Sequence, residues 1–256
     1  MTFFGRVLEA FSGNHDPAGP DHYRAYAIGD IHGRNDLLQK LLGKIEADIA
    51  SRKQGENLIV FLGDLIDRGP DSAGVVEFLR NYRPRDAVTV FLGGNHEEVM
   101  LRILAGEKGR LLADWLKFGG AECLASYGLD PMALAAESEV SALKAIKAAI
   151  PQAHADFLAS FADTFRFGDY LFVHAGIRPG VGIAEQSQTD LRWIREPFLE
   201  DPKDHGFVVV HGHTISSKVE DRANRIGLDT GAYRTGILTA LAVEGNERWF
   251  LDTAPD

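Results

Sequence analysis

From residue 23 onward, short apolar runs alternate with longer stretches in which leucines and isoleucines recur at helical spacing. The runs at 26–28, 58–62, 87–92, 170–173, 207–210 and 225–228 are short and mostly apolar, which predicts buried strands. Residues 237–243 and 248–251 predict a closing antiparallel pair that turns at 244–246. Between the first strands, 36–51 carries Leu37, Leu38, Leu41, Leu42, Ile45 and Ile49, the spacing of a helix with one buried face. Residues 71–80 predict a second, shorter helix. This β-α-β-α-β start favours a parallel or mixed sheet with right-handed crossovers, and so an α/β or α+β class.

The stretch 97–165 interrupts the strand series. It is rich in Ala, Leu, Glu and Lys and predicts several helices, two of them starting at Pro131 and Pro151. The expected organisation is an N-terminal arm and linker over 1–22, then one domain over 23–256 with a helical insertion at about 97–165. In the arm, Phe3, Phe4, Val7, Leu8 and Phe11 fall on one face of a short helix. Docking on the domain is the expected role, because a membrane-surface anchor wants more basic residues. The start also lacks the pattern of a secretory signal. No apolar run approaches the roughly 18 residues of a membrane span. The cytoplasm is the expected location.

Charge and cysteine usage narrow the partners. A net charge of −10 disfavours nucleic acid held through its phosphate backbone. It is compatible with a phosphorylated substrate if bound cations supply local positive charge. Cys123 is the single cysteine, so no internal disulfide forms; it lies in a helical stretch without a thiolate-stabilising pattern, which points to a structural role.

The chemistry lies where the strands end. Five apolar runs are followed at once by Gly29-Asp30-Ile31-His32-Gly33, Gly63-Asp64, Gly93-Gly94-Asn95-His96-Glu97, His174-Ala175-Gly176 and His211-Gly212-His213. Ligands of open α/β sheets bind outside the carboxyl ends of strands. Any one of these loops alone reads better as a turn or a satisfied core histidine. Their joint occurrence points to a metal site with Asp30, His32, Asp64, Asn95, His174 and His213 as ligands. Two carboxylates, an amide and three imidazoles suit a borderline ion, Mn²⁺ first and then Fe or Zn²⁺. Six protein ligands are too many for one catalytic ion and suit two, about 3.5–4 Å apart, with Asp64 as the shared carboxylate.

Gly29-Asp30-Ile31-His32-Gly33, Gly63-Asp64-Leu65-Ile66-Asp67-Arg68-Gly69 and Gly94-Asn95-His96-Glu97 resemble the three signature motifs of one family. It is the phosphoprotein phosphatase (Ser/Thr phosphatase) family of calcineurin-like metallophosphoesterases. His174-Ala175-Gly176 and Gly212-His213-Thr214 resemble its later histidine motifs, especially in the bacterial and phage-type branch. The resemblance covers most of 25–243 and implies a four-layer fold, a central β-sandwich of mixed sheets flanked by helices.

It also implies roles. Asp30, His32 and Asp64 hold one ion; Asp64, Asn95, His174 and His213 hold the other, with His211 as the alternative to His213. A metal-bridging hydroxide attacks phosphorus while His96, oriented by Asp67, acts as general acid. Arg68 and Arg195 hold the phosphate. Arg34 and Arg178 are expected on the surface, and Tyr233 either borders the pocket or sits in the core. The implied activity is that of a phosphomonoesterase, as a protein Ser/Thr phosphatase acting on a phosphorylated protein or a small phosphoester. Diadenosine tetraphosphate hydrolysis is the alternative, and an inactive phosphoprotein-binding relative a more remote one. Neither nucleic acid nor a membrane is expected as a partner, and the oligomeric state is left open.

Overall fold

The computed structural model describes residues 16–255; the helix expected at the N-terminal arm lies outside them. Strand β1 (Tyr23–Ile28) pairs in parallel with β2 (Glu56–Phe61), and β2 with β3 (Val88–Phe91). On the other side of β1 run β9 (Thr239–Glu244) and β10 (Glu247–Asp252), both antiparallel, giving the order β10-β9-β1-β2-β3. The second sheet has the order β4-β5-β6-β8-β7. In it, β5 (Tyr170–Val173), β6 (Val208–His211) and β8 (Arg225–Gly227) are parallel, flanked by antiparallel β4 (Thr164–Phe167) and β7 (Glu220–Asp221).

Alternation along each strand sorts the apolar side chains between the layers. Ala25, Ala27, Leu58 and Val60 point inward, where Phe167, Phe172, Val208 and Val210 of the second sheet meet them. Tyr26, Ile28, Ile59 and Phe61 point outward and are covered by helices, among them α1 (Asn35–Ser51) and α2 (Ser72–Asn81). The outer face of the second sheet, with Leu171, Val173 and Val209, packs on Leu191 and Ile194 of the segment around α9 (Gln188–Trp193). The order is helices, sheet, sheet, helix, the four layers implied by the resemblance.

The helical stretch holds α3 (Asn95–Leu104), α4 (Leu111–Trp115), a π-helical turn (Leu116–Gly120), α5 (Ala121–Ser126), α6 (Pro131–Ala136), α7 (Glu139–Ala149) and α8 (Gln152–Ala159). Pro131 is the first residue of α6, and Pro151 caps α8. The stretch ends earlier than expected: Thr164–Phe167 is strand, because Phe165 and Phe167 alternate toward the interior between the sheets. β7 and α9 also lie outside the expected elements. Among the described residues no helix is long and apolar enough to cross a membrane.

Candidate metal centre

The six parallel strands of the two sheets deliver their following loops to one edge. After β1 come Asp30 and His32, after β2 Asp64, Asp67 and Arg68, and after β3 Asn95 and His96 in the first turn of α3. His174 follows β5, and His213 follows β6. The loop after β8 brings Asp229 and Tyr233, the latter in the short helix α10 (Ala232–Thr235). Among the described residues, six that are not glycine have left-handed backbones, and five of these are His32, Asp64, Asp67, Arg68 and His213. Such conformations persist only where the surroundings impose them, and they cluster at functional sites.

Backbone carbonyls fix two of the imidazoles. His32 donates from Nδ1 to the Ile66 carbonyl at 2.8 Å, and His174 from Nδ1 to the Leu62 carbonyl at 2.9 Å. Nε2 of His174 then faces two oxygens, Asn95 Oδ1 at 3.0 Å and Asp64 Oδ1 at 3.4 Å. A neutral ring would set a lone pair against acceptors there, so the place calls for a proton or a cation. Burial works against the charged ring, yet Asp64, Asp30 and Glu97 outweigh it and push His174 up to about 9. His213 has the opposite balance. Burial and the neighbouring His174 charge pull it down to about 3, and its Nε2 is buried without a partner. Its Nδ1 lies 2.9 Å from Asn95 Oδ1, and its backbone N–H donates to the Asp30 carboxylate.

Side-chain donor atoms of Asp64, His174 and His213 lie within 4.8 Å of one another, and so do those of His32, Asp64 and His96. A carboxylate common to two such trios fits two adjacent ions better than one. Asp30 is in neither trio, but it is buried, and its carboxyl is held well above the usual range by burial, then by Asp229 and Asp64. Crowded acids of this kind ionise together once cations lie between them. The buried nitrogen and oxygen donors, the lone pair facing acceptors at His174 and the orphaned His213 nitrogen fit divalent ions. No thiolate contributes, since burial pushes the Cys123 thiol up.

In the trio with His32 and Asp64, His96 turns its Nδ1 to Asp67 Oδ2 at 2.5 Å. Burial opposes its charge, but Asp64 and Asp67 prevail and raise its pKa. Arg68 Nη1 reaches His32 Nε2 at 2.9 Å, and its guanidinium stands 5.2 Å from the Tyr233 ring centroid. Tyr233 also meets His32 edge-on at 5.5 Å, so it borders the site. Arg195 is exposed, and its charge reaches His213. Arg34 and Arg178 pair on the surface with Asp36 and Asp190. His211 stands apart. Its Nδ1 faces the Gly212 carbonyl, its ring lies edge-on to Phe198, and it lines a separate cavity of about 230 Å³ with Thr214 and Arg225.

Two buried acids, Glu97 inside one of the motifs and Asp229 outside them, have no role in the sequence-based expectation. Glu97 accepts the backbone N–H groups of Asp64, Leu65 and Gly94 at 2.8–2.9 Å, tying two site loops together. Asp229 accepts the Gly231 N–H and stands near Asp30. Its signal was available: the run 225–228 ends on it, as the earlier runs end on their Gly, Asp, Asn or His loops.

A sandwich of two mixed sheets with linked histidine–carboxylate trios at one edge defines a metallophosphoesterase. The chain belongs to the calcineurin-like phosphoesterase family, whose sequence model matches residues 23–237. It is 28% identical over 231 residues to serine/threonine-protein phosphatase 1 of Salmonella typhimurium (strain LT2), covering 86% of this chain and 91% of that protein. It is 26% identical over 273 residues to a symmetrical bis(5'-nucleosyl)-tetraphosphatase of Dechloromonas aromatica (strain RCB), covering 90% and 96%. Among solved structures, one described provisionally as a diadenosine tetraphosphatase superposes with a TM-score of 0.63 at 21% identity, over 95% of this chain and 96% of that one. That likeness concerns the fold.

Proposed function

We propose that the protein is a two-metal phosphomonoesterase whose substrates are serine and threonine phosphates of proteins. The observation that carries the two-metal part of this reading is the Asp64 carboxylate, within reach of His32 on one side and of His174 and His213 on the other, with the His96–Asp67 pair beside it. In this reading Asp30, His32 and Asp64 hold one ion, and Asp64, Asn95, His174 and His213 the other. Mn²⁺ is the preferred metal, with Fe or Zn²⁺ as alternatives. Two such ions supply charge for the phosphoryl oxygens and lower the pKa of water.

The chain's own residues do the rest. Arg68 and Arg195 take the non-reacting phosphate oxygens, and the planar guanidinium orients as well as neutralises. His96 gives the proton on Nε2 to the leaving oxygen as the P–O bond breaks, while Asp67 holds the ring from Nδ1. No covalent bond to the protein forms, and Cys123 takes no part. The helices between β3 and β4 act as an insertion on a single domain that starts near residue 23, and they shape the surface that meets the substrate.

A second reading, hydrolysis of a dinucleoside tetraphosphate, is supported by the 26% identical tetraphosphatase, which matches over a similar length. The Mn²⁺-loaded protein should be assayed side by side on a phosphoserine peptide, p-nitrophenyl phosphate and diadenosine tetraphosphate. Turnover of the peptide and the aryl ester is the expected result. Activity confined to the tetraphosphate selects the second reading, and none at all with two ions bound leaves a phosphoprotein-binding protein.

A further inference from the structure

The segment between α4 and α5 reaches into the site at Trp115 and Gly119. Trp115 is 3% exposed, and its indole N–H donates to Asp67 Oδ2 at 2.7 Å. That is the same oxygen that meets His96 Nδ1. Asp67 Oδ1 has no hydrogen-bond partner, so the two bonds at Oδ2 fix how the carboxylate is turned. The π-helical turn that follows departs from helical geometry at Phe118 and Gly119, with φ of 115° at Gly119. The Gly119 carbonyl thereby accepts the Arg68 N–H at 3.0 Å. A Cβ at Gly119 would stand 2.6 Å from Arg68 Cγ, and one at Gly120 would collide with the Trp115 ring. Residues 115–120 therefore grip Asp67 by its side chain and Arg68 by its backbone. Both gripped residues have left-handed backbones, with φ of 72° and 66°.

We infer that Trp115 is a positioning residue for the His96 proton donor, acting through Asp67 from the helical segment outside the metal-binding loops. The inference rests on the proton-donor role of His96 proposed above. Without the indole N–H, the Asp67 carboxylate loses one of its two bonds at Oδ2 and is held less firmly, and the imidazole loses its fixed aim at the leaving oxygen. The loss should appear only where the leaving oxygen needs a proton.

Trp115→Phe keeps the ring and removes the donor. Wild type, Trp115→Phe and His96→Asn should be compared on 2,4-dinitrophenyl, p-nitrophenyl and phenyl phosphate, with bound metal measured in each. In Trp115→Phe, kcat on phenyl phosphate should fall about tenfold or more, as expected for a lost hydrogen bond to a charged group. KM, two-ion stoichiometry and turnover of the dinitrophenyl ester should hold. An equal loss on all three esters, or no loss on any, overturns the inference. If His96→Asn itself shows no steeper dependence on the leaving group, the proton-donor reading fails instead. A readout on the wild-type protein covers the case of a poorly folded variant. The Trp115 indole N–H should resonate downfield and exchange slowly, and the shift and exchange rate of a solvent-exposed indole would refute the bond to Asp67.

Discussion

At the residue scale, one point of the site calls for a positive charge, either a proton or a cation. His174 is the place, because Asp64 and Asn95 both turn oxygens toward its Nε2. With its pKa pushed up to about 9 against the pull of burial, the free ring is charged at neutral pH, whereas a metal-bound imidazole is neutral. Metal uptake below pH 9 should therefore release a proton from His174, and affinity should fall by up to about tenfold for each pH unit below that value. Calorimetry in buffers of different ionisation heat reads this directly; uptake at pH 7 without proton release would contradict it. The bridging role proposed for Asp64 has its own consequence. Asp64→Ala should lose both ions, and a variant that still binds two would show the carboxylate does not bridge them.

At the element scale, the sandwich depends on its strands interlocking across the two sheets. Phe172 of β5 is 0% exposed and lies among Phe165, Phe167 and the inward residues of the first sheet. Phe172→Ala should cost about 3–5 kcal/mol in urea unfolding, as expected for emptying a packed aromatic site. A loss under about 1 kcal/mol would mean that the interior is loosely filled. Element identity was readable where a run was long or continuously apolar, as at α1, β2, β5 and β6. The division into two sheets was not readable from those runs, because strands buried on both faces show no alternation to reveal which sheet they join. Only the motif resemblance supplied it. β7 escaped because two residues, Glu220 and Asp221, carry no period, and α9 because six residues make fewer than two turns. The loops that converge at the candidate site were legible because each stands where a strand-forming run stops. Trp115 was not, since its partner Asp67 is far away in the chain and meets it only through tertiary packing.

At the scale of the whole molecule, folding and ion binding are linked, because the loops of both sheets must be in place before the donors converge. Each ion at a free concentration about 100 times its dissociation constant should add about 2.7 kcal/mol to stability. Chelation should lower the melting midpoint accordingly, and an unchanged midpoint would show that the folded protein had held no ions. The left-handed backbones at the site carry a further consequence. Arg68→Ala and Arg68→Gly lose the same contacts to His32 and Tyr233, so their difference isolates the backbone. Glycine removes a clash of about 1–2 kcal/mol, and the freer unfolded chain returns about 0.4–1 kcal/mol of that. The glycine variant should thus be the sturdier of the two, and equal stability would sink the point. Selection for toughness alone would drift toward glycine at such positions and erase the chemistry, so the strained loops mark where durability has yielded to function.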